Sequence, residues 1–335
     1  MQFAHKTPGG VRAAFHALLL AGSAFLAACG GGGDGGSTTA PATGSVSVIA
    51  GPGTVGPGVA VDAAGNVFYS SGGTMFKRTP AGEVAPATTT SFVVPLGIAA
   101  DGSGHLFVTE RGEERFGPTY QVVVRRIDRQ GQVTNASDNV PGSGVTGGIS
   151  PPGIATGPDG SFYVSGVGAL RRAMPDGTVV NVTAPEVRRT IDSIAVDGRG
   201  NVYFGNDNAI RKIAPGQAEA LLAGSPVAGS ADGTGDQARF NFGGNKDPFQ
   251  PLFETSLAVD SAGNVYVAGN GNHTIRRISS AGVVTTVAGQ AGVAGLELGA
   301  LPGKLTSPRG LALQGDNTLY VTSGGALLKI ELPPT

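Results

Sequence analysis

Oxygen-bearing side chains recur along this chain at positions that suit either a metal ion or a tight turn. Four aspartates occupy the same place in a recurring phrase: Asp62, Asp101, Asp197 and Asp260. Each stands alone, without the closely spaced oxygen ligands of a calcium-binding loop. Because an Asp side chain readily accepts hydrogen bonds from the amides of its own turn, we predict that these four carboxylates cap turns.

A second set of polar side chains falls on short loops, and its oxygens would suit a hard cation such as calcium. The best donors in this set are Glu110, Asn206, Asp207 and Asn270. Comparable loop positions hold Ser71, Asn272, His273 and Ser323. Asn and Asp are also the usual residues of short β-loops. A metal site and a purely turn-forming role therefore both stay open.

Nucleophilic catalysis has little support in the sequence. Two of the four histidines, His5 and His16, lie in an N-terminal leader, which leaves only His105 and His273. His105 replaces the Asn of a hairpin turn, away from the loops considered below. The sequence has no Gly-x-Ser-x-Gly elbow and no His-rich metal signature. We predict no catalytic residue.

The elements that must position these side chains come from a repeat. The phrase "AVD-x-x-GNVY" returns six times with variations, over residues 59–68, 98–107, 154–163, 194–203, 257–266 and 311–320. Two β-type runs meet at a short polar turn with Gly in the left-handed position. A third run ends in paired basic residues and a fourth follows another Gly-centred turn. Four antiparallel strands per repeat, arranged radially, make a β-propeller blade.

The paired basic residues of the third runs, such as Arg276 and Arg277, resemble a charge array. Adjacent side chains of a strand point to opposite sheet faces. Only one of each pair can therefore point the same way, and we expect solvated or inter-blade hydrogen-bonding roles.

Residues 265–278 resemble the NHL repeat, whose pattern runs "vyVAD-x-x-NhrIrki", and residues 231–240 resemble the segment that leads into such repeats. This resemblance implies an all-β, six-bladed propeller of the NHL or TolB-like type over residues 45–335. Gly269 stands where the family ordinarily has Asp. Similarity to gluconolactonase-type propellers would imply a calcium-type ion on the axis, held by Glu110, Asn206, Asp207 and Asn270. Similar propeller lyases rely on histidines and a metal, which one candidate histidine fits badly.

The strand count predicts how the ring closes. The last repeat supplies only three β-type runs before the chain ends, whereas residues 45–51 form an extra run before the first repeat. We predict that this N-terminal run is the outer strand of the sixth blade, because closure removes exposed sheet edges.

Three long loops distinguish this chain from a regular propeller: residues 111–119, 224–255 and 289–308. Long loops in a compact domain are usually functional, and the connectivity places all three on one face. The predicted binding face contains Glu110, Arg111, Arg115, Phe116, Asn206, Asp207, Arg239, Phe240, Phe242, Asn270, Asn272 and His273. In the alternative interpretation, the phenylalanines cover the ends of blades four and five.

The first 28 residues have the features of a signal peptide: Lys6 and Arg12 precede an apolar run, residues 13–25, that is too short for a bilayer span. The ending Leu-Ala-Ala-Cys29 resembles the lipobox of bacterial lipoproteins, which implies acylation of Cys29 after cleavage. Residues 29–44 are Gly-rich and should form a flexible tether. At roughly 5–6 Å × √n, this tether reaches on the order of 20 Å.

Bulk composition limits the partners. The net charge of −1 gives no electrostatic reason to expect nucleic acid, and a single cysteine excludes an internal disulfide. Gly30 after the cysteine, by resemblance to Gram-negative sorting, favours the outer membrane, facing the periplasm or the cell surface. We expect a lipid-anchored binding or scaffold module for an envelope protein, a peptide or a glycan. The alternative is a calcium-dependent, lactonase-like hydrolase or a lyase with an axial site.

Overall fold

The structure is a computed structural model. It describes residues 44–51, 55–111, 119–120, 122–137, 145–146, 153–165, 169–183, 191, 193–242 and 255–334. Within these ranges no helix has the length and hydropathy to cross a membrane. The predicted leader, the tether with Cys29, and the loop residues Arg115 and Phe116 lie outside the described residues.

Antiparallel sheets form the six blades, numbered along the chain after strand β1 (Ser45–Ala50). Blade one contains β2 (Val55–Val61), β3 (Val67–Ser71), β4 (Thr74–Arg78) and β5 (Val84–Pro86). Blade two contains β6 (Pro95–Ala100), β7 (Leu106–Arg111), β9 (Val122–Ile127) and β10 (Val133–Ser137). A separate two-stranded sheet pairs β8 (Thr119–Tyr120) with β11 (Val145–Thr146). Blade three contains β12 (Ile154–Thr156), β13 (Phe162–Val164), β14 (Arg171–Ala173) and β15 (Val179–Asn181).

The second half of the chain repeats this plan. Blade four contains β16 (Ser193–Val196), β17 (Val202–Asn206), β18 (Ala209–Ile213) and β19 (Ala220–Gly224). Blade five contains β20 (Gly233–Thr234), β21 (Ser256–Val259), β22 (Val265–Gly269), β23 (Thr274–Ile278) and β24 (Val283–Gly289). Blade six contains β25 (Gly299–Ala300), β26 (Leu311–Gln314), β27 (Thr318–Ser323), β28 (Ala326–Glu331) and β1. The part of the chain that the structure describes also contains two short 3-10 helices, at Gly235–Gln237 and Asn270–Asn272.

The ring closes as predicted. β1 pairs antiparallel with β28, with Val46 opposite Ile330 and Val48 opposite Leu328. Val46 is buried in the cluster that joins blades five and six. The first strands of neighbouring blades contact one another around the whole circle, β2 with β6 and finally β26 with β2. The six-bladed NHL-like propeller is therefore confirmed.

The repeated aspartates cap turns, as predicted. The Asp62 carboxylate accepts hydrogen bonds from the amides of Ala64 at 3.0 Å and Asn66 at 2.8 Å. The same geometry recurs at Asp101, Asp197 and Asp260. Gly65 has a φ of 79°, which a side chain would strain. The recurring phrase is thus explained by the requirements of a tight turn.

In blades one, three and four, one basic residue of the third strand covers an aromatic residue on the neighbouring strand. The Lys212 ammonium lies 5.3 Å from the Tyr203 ring centroid, and Lys77 lies 5.9 Å from that of Phe68. These partners are directly opposite in the strand register. Adjacent basic side chains of a third strand therefore point to opposite sheet faces, as predicted. The paired basic residues do not form a single charged surface.

Strand direction divides the propeller into two faces. The turns between first and second strands and between third and fourth strands lie on one side, which we call the hairpin face. The turns between second and third strands, and the starts of the first strands, lie on the other side, which we call the long-loop face.

Two crossovers leave the long-loop face and run along the outside of the propeller. β20 pairs with the beginning of β24, and β25 pairs with the beginning of β1, near the hairpin face. We call residues 224–242 the blade-five belt and residues 289–308 the blade-six belt. The prediction placed both crossovers wholly on the long-loop face, which the pairing of β20 and β25 corrects. Each belt covers the free edge of the blade that follows it.

Candidate functional site

A cavity of about 250 Å³ runs along the propeller axis and is lined by the first strands of all six blades. Its wall consists mainly of backbone and small or aliphatic side chains. Arg309 is the one charged side chain among the described residues of the lining. It is exposed and immediately precedes the first strand of blade six. Arg309 therefore stands where the cavity opens on the long-loop face.

Hydroxyl groups organise the wall of this cavity. In blades two and six, a second-strand threonine accepts a hydrogen bond from the glycine amide that starts the first strand. These bonds join Gly97 to Thr109 at 2.8 Å and Gly310 to Thr322 at 2.8 Å. In blade four the two residue types are reversed. The hydroxyl-bearing residue, Ser193, is on the first strand, and the glycine opposite it, Gly205, is on the second. This reversal leaves the Ser193 hydroxyl buried without a hydrogen-bond partner.

Thr255, at the start of the first strand of blade five, adds a second buried and unpartnered hydroxyl to the lining. Both hydroxyl oxygens are buried within the wall, so the charged group that the described lining presents to a ligand is Arg309. Sequence reasoning missed Arg309, Ser193 and Thr255. Their only signal was a departure from the residue types of the other repeats.

The Glu110 carboxylate is engaged in a structural contact. It accepts a hydrogen bond from Arg125 Nε at 2.6 Å and another from the Val93 amide at 3.3 Å. The Glu110 side chain is buried. Its charge therefore neutralises Arg125 on the neighbouring strand of the same blade.

The other metal candidates are also placed by the requirements of their loops. Asp207 and Asn208 have φ values of 51° and 56° between paired Asn206 and Ala209, as in a type I′ hairpin turn. Asp207 is exposed, whereas Asn206 and Asn270 are buried. Glu110, Asn206, Asp207 and Asn270 are all absent from the described lining of the axial cavity. A calcium site at these four residues stays a prediction.

Within the described ranges, no three His, Cys, Asp or Glu side chains lie close enough together to hold a metal ion. His105 lies on the hairpin face, as expected, where its Nε2 accepts from Arg126 Nη2 at 2.9 Å and its Nδ1 donates to Asp101. His273 Nδ1 accepts from the Ser307 amide at 3.0 Å. Both imidazoles are thus oriented by structural contacts.

Several predicted face residues secure the belts. Asn272 Nδ2 donates to the Gly229 carbonyl at 2.6 Å, and His273 holds the blade-six belt through Ser307. Phe240 and Phe242 stack at 5.6 Å between ring centroids and are buried in the core between blades four and five. Their burial matches the alternative interpretation, in which they cover blade ends. The Arg239 side chain donates a hydrogen bond to the Ala238 carbonyl. Arg111 is the last residue of β7.

Arg276 is the most deeply buried charged residue of the described chain. Its Nη2 lies 2.5 Å from Asp232 Oδ1 and 2.9 Å from the Ala231 carbonyl oxygen, and its Nη1 lies 3.0 Å from the Arg239 carbonyl oxygen. The guanidinium also lies 5.2 Å from the Phe240 ring centroid. Burial lowers the pKa of Arg276, against the opposing effect of Asp232. Arg276 therefore holds the blade-five belt against the propeller.

In the turn between the first and second strands of blade four, the surroundings of Asp197 lower its pKa. Burial works to raise the pKa of Asp197, but hydrogen bonds from Asn201, Arg199 and Tyr203 outweigh it and hold that pKa below its usual range. Burial and the neighbouring Asp197 charge raise the pKa of Tyr203. The charged carboxylate is the form that the turn requires.

Comparison with known proteins agrees with this fold. A family model described as Beta-propeller repeat matches residues 252–275. Teneurin-1 of Gallus gallus is 25% identical over 210 residues. That match covers 55% of this chain but only 8% of the teneurin.

Solved structures give broader coverage at low identity. An auxiliary nutrient binding protein of Bacteroides ovatus has a TM-score of 0.64 and 14% identity, over 87% of this chain and 77% of that one. A gluconolactonase of Xanthomonas campestris has a TM-score of 0.59 and 15% identity, over 87% of this chain and 90% of that one. At these identities the similarity establishes the propeller fold alone.

Proposed function

We propose that the protein is a lipid-anchored binding module of the cell envelope. It holds an anionic group of a protein, peptide or glycan at the long-loop face. The observation that carries this proposal is Arg309, an exposed guanidinium at the opening of the axial cavity with no ion-pair partner within the described chain. An unpaired arginine offers planar, bidentate hydrogen bonding to a carboxylate or phosphate.

The state of the other polar groups supports binding in preference to catalysis. General acid–base catalysis needs a titratable group within hydrogen-bond reach of the reacting atoms. Glu110 is neutralised by Arg125, and the Nδ1 atom of His273 is occupied by the Ser307 amide. The nutrient-binding propeller of Bacteroides ovatus offers a precedent for binding on this fold.

The proposed location rests on the lipobox resemblance at Cys29 and the Gly-rich tether that follows it. We propose that acylated Cys29 anchors the propeller in the outer membrane, facing the periplasm or the surface. Labelling with a fatty-acid analogue should modify the wild-type chain and leave Cys29→Ser unmodified. Equal labelling of both chains, or of neither, would refute the anchor.

The ligand site is tested with an array of acidic and neutral glycans and peptides, probed with the wild type and with Arg309→Ala. We expect acidic ligands to bind the wild type and to lose at least about tenfold in affinity in Arg309→Ala, since a charged hydrogen bond contributes about 1.5–3 kcal/mol. The matched control is Arg129→Ala, which removes an exposed arginine from the hairpin face. Equal losses in both variants would refute a site at Arg309.

The second candidate is the calcium-dependent, lactonase-like hydrolase or lyase, favoured by the fold it shares with the gluconolactonase. In this candidate the Glu110 carboxylate must leave its ion pair with Arg125 and bind a metal ion. Thermal unfolding with calcium and with chelator distinguishes the two candidates. Stabilisation by calcium that is lost in Glu110→Gln would favour the enzyme, and equal melting temperatures in both conditions would favour the binding module.

A further inference from the structure

The blade-six belt carries an exposed apolar surface. Val293, Leu296 and Leu298 are 41%, 46% and 48% exposed, and the alanines at positions 291, 294 and 300 are exposed beside them. The belt is folded back on itself by bridges between Ala294 and Leu305 and between Glu297 and Lys304. These exposed aliphatic side chains therefore all belong to one short, folded-back segment.

The geometry of a belt does not require this apolar character. The blade-five belt follows the same path, with Phe240 buried at the same distance after Gly224 as Leu305 after Gly289. Where the blade-six belt has exposed Leu296 and Leu298, the corresponding stretch of the blade-five belt exposes Asp232, Thr234 and Asp236. The blade-five belt also exposes one large apolar side chain, Val227, at 65%, but exposed leucines are found only in the blade-six belt of the two.

The propeller begins directly against this apolar belt. The Gly44 carbonyl accepts a hydrogen bond from the Leu301 amide at 3.1 Å, and Ser45 pairs with Ala300. Residues 29–44, which precede this point, form the proposed tether from the lipidated cysteine. A tether of this length reaches on the order of 20 Å. Since the tether ends at the belt, an anchor at Cys29 would keep this side of blade six within that distance of the bilayer.

We propose that the blade-six belt docks on the lipid bilayer, with Val293, Leu296 and Leu298 in the interface. This inference rests on the proposed anchor. The charged residues of the belt hairpin, Glu297 and Lys304, pair with each other at 2.7 Å, so electrostatic repulsion from an anionic surface is small. Apolar burial supplies the attraction, and the tether raises the effective concentration of the belt at the surface.

A second copy of the chain is the main competing occupant of this surface. β25 is only two residues long, and glycines at positions 292, 295 and 299 interrupt the belt. Such an edge offers few ladder bonds to another strand. A bilayer needs no matching strand register and accepts scattered aliphatic side chains, which is why we favour it.

The test separates the belt from the anchor. Residues 29–335, which contain the tether and the whole closed propeller, are prepared with Cys29→Ser and an N-terminal histidine tag. The protein is captured on vesicles of phosphatidylethanolamine and phosphatidylglycerol containing nickel-chelating lipid, so capture is independent of acylation. A polarity-sensitive dye is attached at Leu298→Cys or, as the matched control, at Thr234→Cys on the blade-five belt.

Capture should shift the emission of the dye at position 298 to shorter wavelengths and make it quenchable by spin-labelled lipid. The dye at position 234 should keep its solution spectrum. Adding Val293→Asp and Leu296→Asp to the first protein should abolish the shift. Identical spectra at both positions would refute bilayer docking, as would a shift at position 298 that appears without vesicles and grows with protein concentration, which would indicate self-association.

Discussion

The belts of blades five and six follow the same path, but different contacts hold them in place. Arg276 holds the blade-five belt through a buried guanidinium that joins Asp232 to two backbone carbonyls. The corresponding third-strand residue of blade six is Leu328, which is also buried. The ion pair of the blade-six belt, Glu297 with Lys304, joins two residues of the belt itself and lies on the surface. Both belts pair through the backbone with the outer strand of their blade, and the blade-five belt is held by a buried charge as well.

This difference shows which features the repeat determines and which it leaves free. Both belts cover a sheet edge, because an uncovered edge would invite pairing with other chains. The repeat therefore constrains the backbone path, whereas the exposed side chains of each belt are free to change. The blade-five belt exposes acidic side chains beside Val227 and is held by a buried arginine. The blade-six belt has become an apolar segment beside the start of the propeller.

The largest effect should follow from deleting residues 45–50, which removes the partner of both β28 and the blade-six belt. Burying one valine such as Val46 contributes about 1.5–3 kcal/mol. With the lost strand pairing, we expect the melting temperature to fall by about 10 °C or more. Hydrogen exchange should rise in β28 and the blade-six belt more than in the blade-five belt.

The matched control for this deletion removes residues 30–35 of the tether, which precede β1. It should leave the melting temperature unchanged. Equal melting temperatures of the 45–50 deletion and the wild type would show that β1 does not close the ring. They would also show that the blade-six belt needs β1 no more than the blade-five belt does.

A smaller loss should follow from Arg276→Leu, which gives blade five the residue type of blade six. Breaking a buried ion pair costs about 3–5 kcal/mol. Asp232 is half-exposed and regains water, so we expect the lower end, about 3 kcal/mol, measured by denaturant unfolding. Lys304→Ala in the blade-six belt should cost at most about 1 kcal/mol, since its ion pair is exposed. Similar costs for the two variants would remove the distinction between the belts.

The smallest effect on stability should follow from Leu296→Asn with Leu298→Asn. Substitutions at exposed positions usually change the free energy of unfolding by less than about 0.5 kcal/mol each. We expect a nearly unchanged unfolding midpoint in solution. A loss above about 2 kcal/mol for the pair would mean that these leucines pack against the propeller, and the contrast with the blade-five belt would then need another explanation.

Much of this architecture was predictable, because it depends on local patterns. The six turns with Asp and Gly define the blades, and residues 45–51 resemble the outer strand of blade five closely enough to reveal ring closure. The belts were not predictable as fifth strands. β20 and β25 are two residues long and glycine-containing, with little intrinsic strand preference.

Side-chain roles were harder to predict than strands. Strand alternation shows that Arg276 and Arg277 point to opposite faces, but only the packed belt reveals that Arg276 is buried. Glu110 resembled a metal ligand because its partner, Arg125, belongs to another strand. Arg309 lies outside every motif. Such roles depend on contacts between distant parts of the chain.

The central claim is that the ligand binds at the long-loop face, where Arg309 marks the cavity opening, and that the repeated turns on the hairpin face are scaffold. The most direct test keeps Arg309 and places a photo-crosslinking amino acid at position 96, in the lining of the same cavity near the start of the first strand of blade two, or at position 102, an open site on the hairpin face, in cells that make the full chain. We predict that crosslinked partner forms at position 96 and is displaced by the acidic ligands that bind the wild type. Crosslinking that is equal at both positions, or stronger at position 102, would contradict the account.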